Sequence, residues 1–183
     1  MSQSTPRRHG PWTINQSATV YQDPWIRVCR DEVTRPDGKP GTHSVVHLKH
    51  GVSVLAIDHN RDVYLTEEFH YGVGRVTLES VSGGIEPGED AESTARRELK
   101  EEIGIVANRW TDLGVCDPFT ASVVSPTKLY LAEEIRHEQA TPEGTELIRC
   151  VRMPLADAVE KVLRSEITHA PSCLLILMAD RIR

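Results

Sequence analysis

The sequence has no surplus of positive charge. Its 21 Lys and Arg residues face 27 Asp and Glu, giving a formal net charge of −6 at pH 7. Phosphate backbones demand a basic patch, so this balance argues against a nucleic-acid surface. Small anionic substrates stay compatible with it, provided a divalent cation offsets the charge. No window of 18 apolar residues occurs, so no membrane-spanning helix is expected. There is no C-x-x-C pair: Cys29, Cys116, Cys150 and Cys173 are scattered. They read as buried thiols of a reducing cytoplasm, the alternative being two disulfide bridges in an exported protein. Internal repeats and low-complexity segments are lacking too. Residues 1–17 carry Arg7, Arg8 and His9 with no apolar run behind them. They are expected to be a flexible, irregular segment rather than a signal peptide.

What is there centres on Gly83–Ile105, G-G-I-E-P-G-E-D-A-E-S-T-A-R-R-E-L-K-E-E-I-G-I. Gly83, Gly84, Pro87 and Gly88 suit tight turns that expose backbone. Helix formers follow from about Asp90, and Gly104 supplies a stop. At about 100° per residue Glu98, Glu101 and Glu102 share one helix face. Ala95, Leu99 and Ile103 form the adjoining apolar stripe. Three carboxylates on one face repel one another and invite a counter-charge. Hard oxygen ligands without His or Cys suit Mg²⁺, with Mn²⁺ as a substitute, and Mg²⁺ is commonly shared with substrate phosphates. The competing reading is a solvated acidic helix.

The spacing separates the two. Gly83, five residues, Glu89, seven residues, then Arg97-Glu98-Leu99-Lys100-Glu101-Glu102-Ile103-Gly104-Ile105 resembles the Nudix box at every defining position. The family's members cleave a nucleoside diphosphate linked to another group. The resemblance implies an α/β fold, a Nudix α/β/α sandwich with a mixed sheet over 50–183, preceded by an N-terminal antiparallel β-sheet.

That N-terminal sheet is placed at 18–49. Val20, Tyr21, Trp25, Ile26, Val28 and Val33 give it a β-like pattern, Arg35-Pro36-Asp37-Gly38 is a turn, and His43–Leu48 should pair back. In the ADP-ribose pyrophosphatase branch of the family a similar sheet helps form a homodimer, and the resemblance implies one here. Ser53–Ile57 and Asp62–Thr66 read as a hairpin around Asp58–Asp62, Arg75–Ser82 as a strand entering the box, and Arg109–Cys116 and Pro126–Ala132 as strands after it. Leu155, Ala158, Val159, Val162 and Leu163 recur at helical spacing, and Ser172–Arg183 reads as a well-buried final helix. His70, where relatives carry Arg, is expected to be a buried, hydrogen-bonded histidine.

Residue by residue, the resemblance implies metal ligands at Glu98, Glu101, Glu102 and the Ser82 carbonyl. Arg97 is expected to orient the carboxylates through ion pairs, and Glu89 to hold the loop or a metal-bound water. Substrate contacts are implied at Glu79, Gly83, Gly84 and, within the Asp117–Ser125 link, Phe119. The resemblance also implies a late loop, Thr141-Pro-Glu-Gly-Thr-Glu146, with Glu143 as water activator and Glu146 as a metal or water ligand, the competing reading being that both are solvated loop charges. The expected substrate is ADP-ribose or another nucleoside diphosphate sugar, hydrolysed in the cytoplasm with Mg²⁺. Two other readings stand beside it: a nucleoside triphosphate pyrophosphohydrolase, and a module that binds nucleotide without cutting it. The length of 183 residues weighs against the first and the intact box against the second.

Overall fold

A computed structural model describes residues 5–142, 144 and 147–182. Along them run β1 (Arg7–His9), β2 (Trp12–Gln22), β3 (Ile26–Thr34), β4 (Pro40–Leu48), β5 (Gly51–Ile57), β6 (Asp62–His70), β7 (Arg75–Glu79) and β8 (Val81–Gly84). Then come α1 (Ala91–Ile103), β9 (Ile105–Cys116), β10 (Val123–Val124), β11 (Thr127–His137), β12 (Arg149–Pro154), α2 (Leu155–Leu163) and α3 (Ala170–Arg181). They divide into two units, Met1–Lys49 with Phe119–Ser125, and His50–Pro118 with Pro126–Arg183. Among the described residues no helix is long and apolar enough to cross a membrane.

The first unit is one sheet in the order β1-β2-β3-β4-β10, antiparallel except for the parallel β10–β4 pair. It starts well before residue 18. Arg7 pairs with Ile14 and His9 with Trp12, so the expectation of an irregular segment over 1–17 is corrected for the residues from Arg7 onward. These strands are held by backbone pairing rather than by apolar alternation: β2 buries Ile14 and leaves Asn15 to Gln22 exposed. The turn after β3 forms where expected, Gly38 N–H donating to the Arg35 carbonyl at 2.9 Å.

The second unit is an α/β/α sandwich. Its sheet runs β12-β6-β5-β11-β9, with β7 added on β6 and β8 on β5, and is mixed because β11 and β5 are parallel. Alternation along β5 sends Val52, Val54 and Ala56 towards Ala95, Leu99 and Ile103 of α1. Leu55 and Ile57 go towards Leu155, Ala158, Leu175, Ile176 and Ala179 of α2 and α3. Full burial of a side chain such as Leu99 contributes about 1.5–3 kcal/mol. The final helix is amphipathic rather than buried all round, since Leu174 and Leu177 are each 38% exposed. All four cysteines are free, and only Cys29 is buried; Cys150 is exposed.

Candidate active site

Strand β8 delivers the chain to Gly83 and Gly84, and a short loop then enters α1. Asp90 caps the helix, its carboxylate accepting from Ser93 N–H at 3.0 Å and Ser93 Oγ–H at 2.7 Å. Gly104 ends it in the left-handed region, at φ 63°, with its N–H directed at the Leu99 and Lys100 carbonyls. A side chain there would also strike the Glu138 carbonyl. Between the caps, Ala95 and Leu99 face the sheet, which leaves Arg97, Glu98, Glu101 and Glu102 half-buried along one edge.

Arg97 joins loop to helix. Its Nε donates to Glu89 Oε1 at 2.9 Å and its Nη2 to Glu89 Oε2 at 3.1 Å, a two-pronged pair. Its Nη1 reaches Glu98 Oε1 at 2.9 Å and Glu101 Oε2 at 3.0 Å. The guanidinium, followed by Thr94 Oγ–H at 2.9 Å, depresses the Glu89 pKa to about 2. Hydrogen bonding to Glu89 is likewise the chief reason the Arg97 pKa is raised. Glu89 therefore holds the loop, and Arg97 supplies the counter-charge that the crowded carboxylates invite.

Glu98 lies across Gly83. A Cβ on Gly83 would collide with the Glu98 carboxylate, so only glycine lets the helix side chain lie on the strand. The hard oxygen donors on this face fit a divalent cation in kind. As they stand, no three His, Cys, Asp or Glu side chains among the described residues converge on one point, and Arg97 stands between Glu98 and Glu101.

Other predicted residues fall elsewhere. Glu79 turns its carboxylate to Thr77 Oγ1 (2.6 Å), His70 Nε2 (3.5 Å) and His169 Nδ1 (3.1 Å). His70 is not buried; its side chain is 39% exposed. Phe119 belongs to the first unit and is exposed. Glu143 and Glu146 lie outside the described residues. Sequence reasoning missed His169, Ser172, Ser53 and Ser80, which surround Glu79 and the strand before the box. Nothing local marks them, because their partners lie far away in the chain.

Residues 47–172 match the NUDIX domain family, and residues 12–46 match the nucleoside diphosphate sugar hydrolase N-terminal domain. The chain belongs to the Nudix family. Among curated relatives, an ADP-ribose pyrophosphatase of Mycobacterium tuberculosis is 30% identical over 84% of this chain and 76% of its own. An ADP-ribose pyrophosphatase of Bacillus subtilis is 29% identical, with 86% of each chain covered. Among solved structures, an ADP compounds hydrolase superposes with a TM-score of 0.80 over 99% of this chain and 95% of that one. At 22% identity that likeness speaks for the fold. This Nudix hydrolase thus has an intact box on the expected sandwich, and its family generally depends on a divalent metal.

Proposed function

We propose that this Nudix hydrolase cleaves the diphosphate linkage of ADP-ribose or another nucleoside diphosphate sugar. The products are a nucleoside monophosphate and a sugar phosphate. The observation that carries the reading is the combination of an intact box with an N-terminal sheet matching the nucleoside diphosphate sugar hydrolase family. The two relatives named ADP-ribose pyrophosphatase support the choice of substrate.

In this reading a water oxygen attacks one phosphorus, the bridging P–O bond breaks, and the leaving phosphate departs as an anion. Glu98, Glu101, Glu102 and the Ser82 carbonyl would hold Mg²⁺, which when bound neutralises phosphate oxygens and lowers the pKa of water. Arg97 aims Glu98 and Glu101 through its ion pairs, and is a positioning residue. Gly83 and Gly84 bring bare backbone to the substrate. Glu143 accepts the proton of the attacking water, and Glu146 orients that water or the metal.

A homodimer formed through the first unit and a cytoplasmic location complete the proposal. The test is product analysis with ADP-ribose, GDP-mannose and dGTP, each with Mg²⁺ or with EDTA. Release of AMP from ADP-ribose, lost in EDTA, is expected. Pyrophosphate from dGTP as the dominant product would transfer the chain to the pool-cleaning class.

A further inference from the structure

On the α3 side of the second unit's sheet, four serines from three separate stretches of the chain form a contiguous row. Ser82 Oγ–H donates to the Ser80 carbonyl at 3.0 Å. Ser82 Oγ lies 2.8 Å from Ser53 Oγ, which lies 2.7 Å from Ser80 Oγ, which lies 2.9 Å from Ser172 Oγ. Ser172 Oγ in turn lies 2.8 Å from His169 Nδ1 and accepts the Ser80 N–H at 2.8 Å. Ser53, Ser80 and Ser172 are at most 1% exposed, so water does not stand in for a missing partner.

Proton counting fixes the direction of this chain. Each hydroxyl owns one proton and can accept others. Ser82 spends its proton on the Ser80 carbonyl, so Ser53 must donate to Ser82. Ser80 must then donate to Ser53, and Ser172 to Ser80. Four hydroxyl protons are now used, and the contact between Ser172 Oγ and His169 Nδ1 still needs one. It has to come from the ring. The carboxylate of Glu79, 3.1 Å from the same Nδ1, also calls for a proton there, so the one N–H is shared between Glu79 and Ser172 Oγ. Burial, joined by His70 and opposed by Glu79, pushes the His169 pKa below the ordinary histidine value. The ring is then neutral near pH 7, with a single N–H.

We infer that His169 is a positioning residue for the active site: as the Nδ1–H tautomer it terminates a one-way serine relay that fixes the Ser82–Gly83 backbone beneath Glu98. The relay ends on Ser82, whose carbonyl is a proposed metal ligand, and the next residue is the glycine on which the Glu98 carboxylate lies. Reversing the relay takes the Ser82 proton off the Ser80 carbonyl, and cutting it leaves a buried hydroxyl without a partner, so either change bears on the start of β8. Partners one step removed from a ligand typically change metal affinity or activity about 10–100-fold when lost. The tautomer follows from the contacts of a neutral ring; the consequence for turnover rests on the proposed function.

The full chain labelled with ¹⁵N-histidine tests this by NMR near pH 7. His169 should show a protonated Nδ1 and a bare Nε2; an Nε2–H tautomer overturns the inference. His169→Asn keeps an N–H near the Nδ1 position, whereas His169→Gln moves the amide to the Nε2 position. Mn²⁺ affinity, read by electron paramagnetic resonance without substrate, should hold in the Asn variant. It should fall about tenfold in the Gln and Ser53→Ala variants. With a cleaved substrate, kcat should follow the same order while KM changes little. Equal Mn²⁺ affinity in all four proteins contradicts the role. If the wild type cleaves no nucleotide sugar, the proposed substrate class fails, and the tautomer and Mn²⁺ results still decide the relay.

Discussion

The Glu89 carboxylate is paired by both prongs of Arg97 and by Thr94, and this has a pH signature. Its folded pKa is about 2, against 4.5 for the free group. A depressed carboxylate stabilises the fold fully above its unfolded pKa and loses that contribution as pH falls through the folded value. The difference in melting temperature between wild type and Glu89→Gln should therefore be constant above about pH 4.5 and shrink towards pH 2. A difference that grows on acidification would speak against the pair. Gly83 makes a second residue-scale test. Gly83→Ala pushes the Glu98 carboxylate off the strand. A misplacement of that size costs on the order of 10²-fold in turnover, with the fold retained by circular dichroism. Undiminished turnover would show that Glu98 need not lie there.

At the scale of elements, α1 is the best-determined piece. Asp90→Ala removes two accepted hydrogen bonds and should cost about 1 kcal/mol in chemical denaturation. No measurable loss would mean that tertiary packing alone defines the helix start. Both ends of α1 and its carboxylate edge were legible from sequence, because caps and i, i+3, i+4 spacing are local signals. The β5–β6 hairpin and α2 were legible for the same reason. The opening strands were not. Arg7–His9 and Asn15–Thr19 are polar and exposed, and only pairing with neighbouring strands makes them β. α3 looked apolar on most faces and hence well buried, yet it exposes Leu174 and Leu177 to solvent. The serine relay could not be read at all, since Ser53, Ser80 and Ser172 meet only after the sheet and α3 have packed.

The whole molecule carries two claims. One concerns assembly: Val20, Tyr21 and Trp25 of the first unit are 58%, 53% and 71% exposed, and a dimer partner would cover such apolar side chains. Sedimentation equilibrium at micromolar concentration should give a dimer, and Trp25→Asp should weaken it. A monomer in both cases removes the dimer from the account. The other claim is the reaction itself, and AMP release from ADP-ribose at saturating Mg²⁺ tests it most directly. The wild type should release AMP, and EDTA should abolish the release. Glu98→Gln and Glu102→Gln should each lower turnover by on the order of 10²-fold or more. Lys100→Gln, which disturbs the surface pair with Glu138 at 3.2 Å, should leave it near wild type. AMP release that persists in EDTA, or wild-type turnover in either glutamine variant, would contradict the assignment of this helix edge as the catalytic metal face.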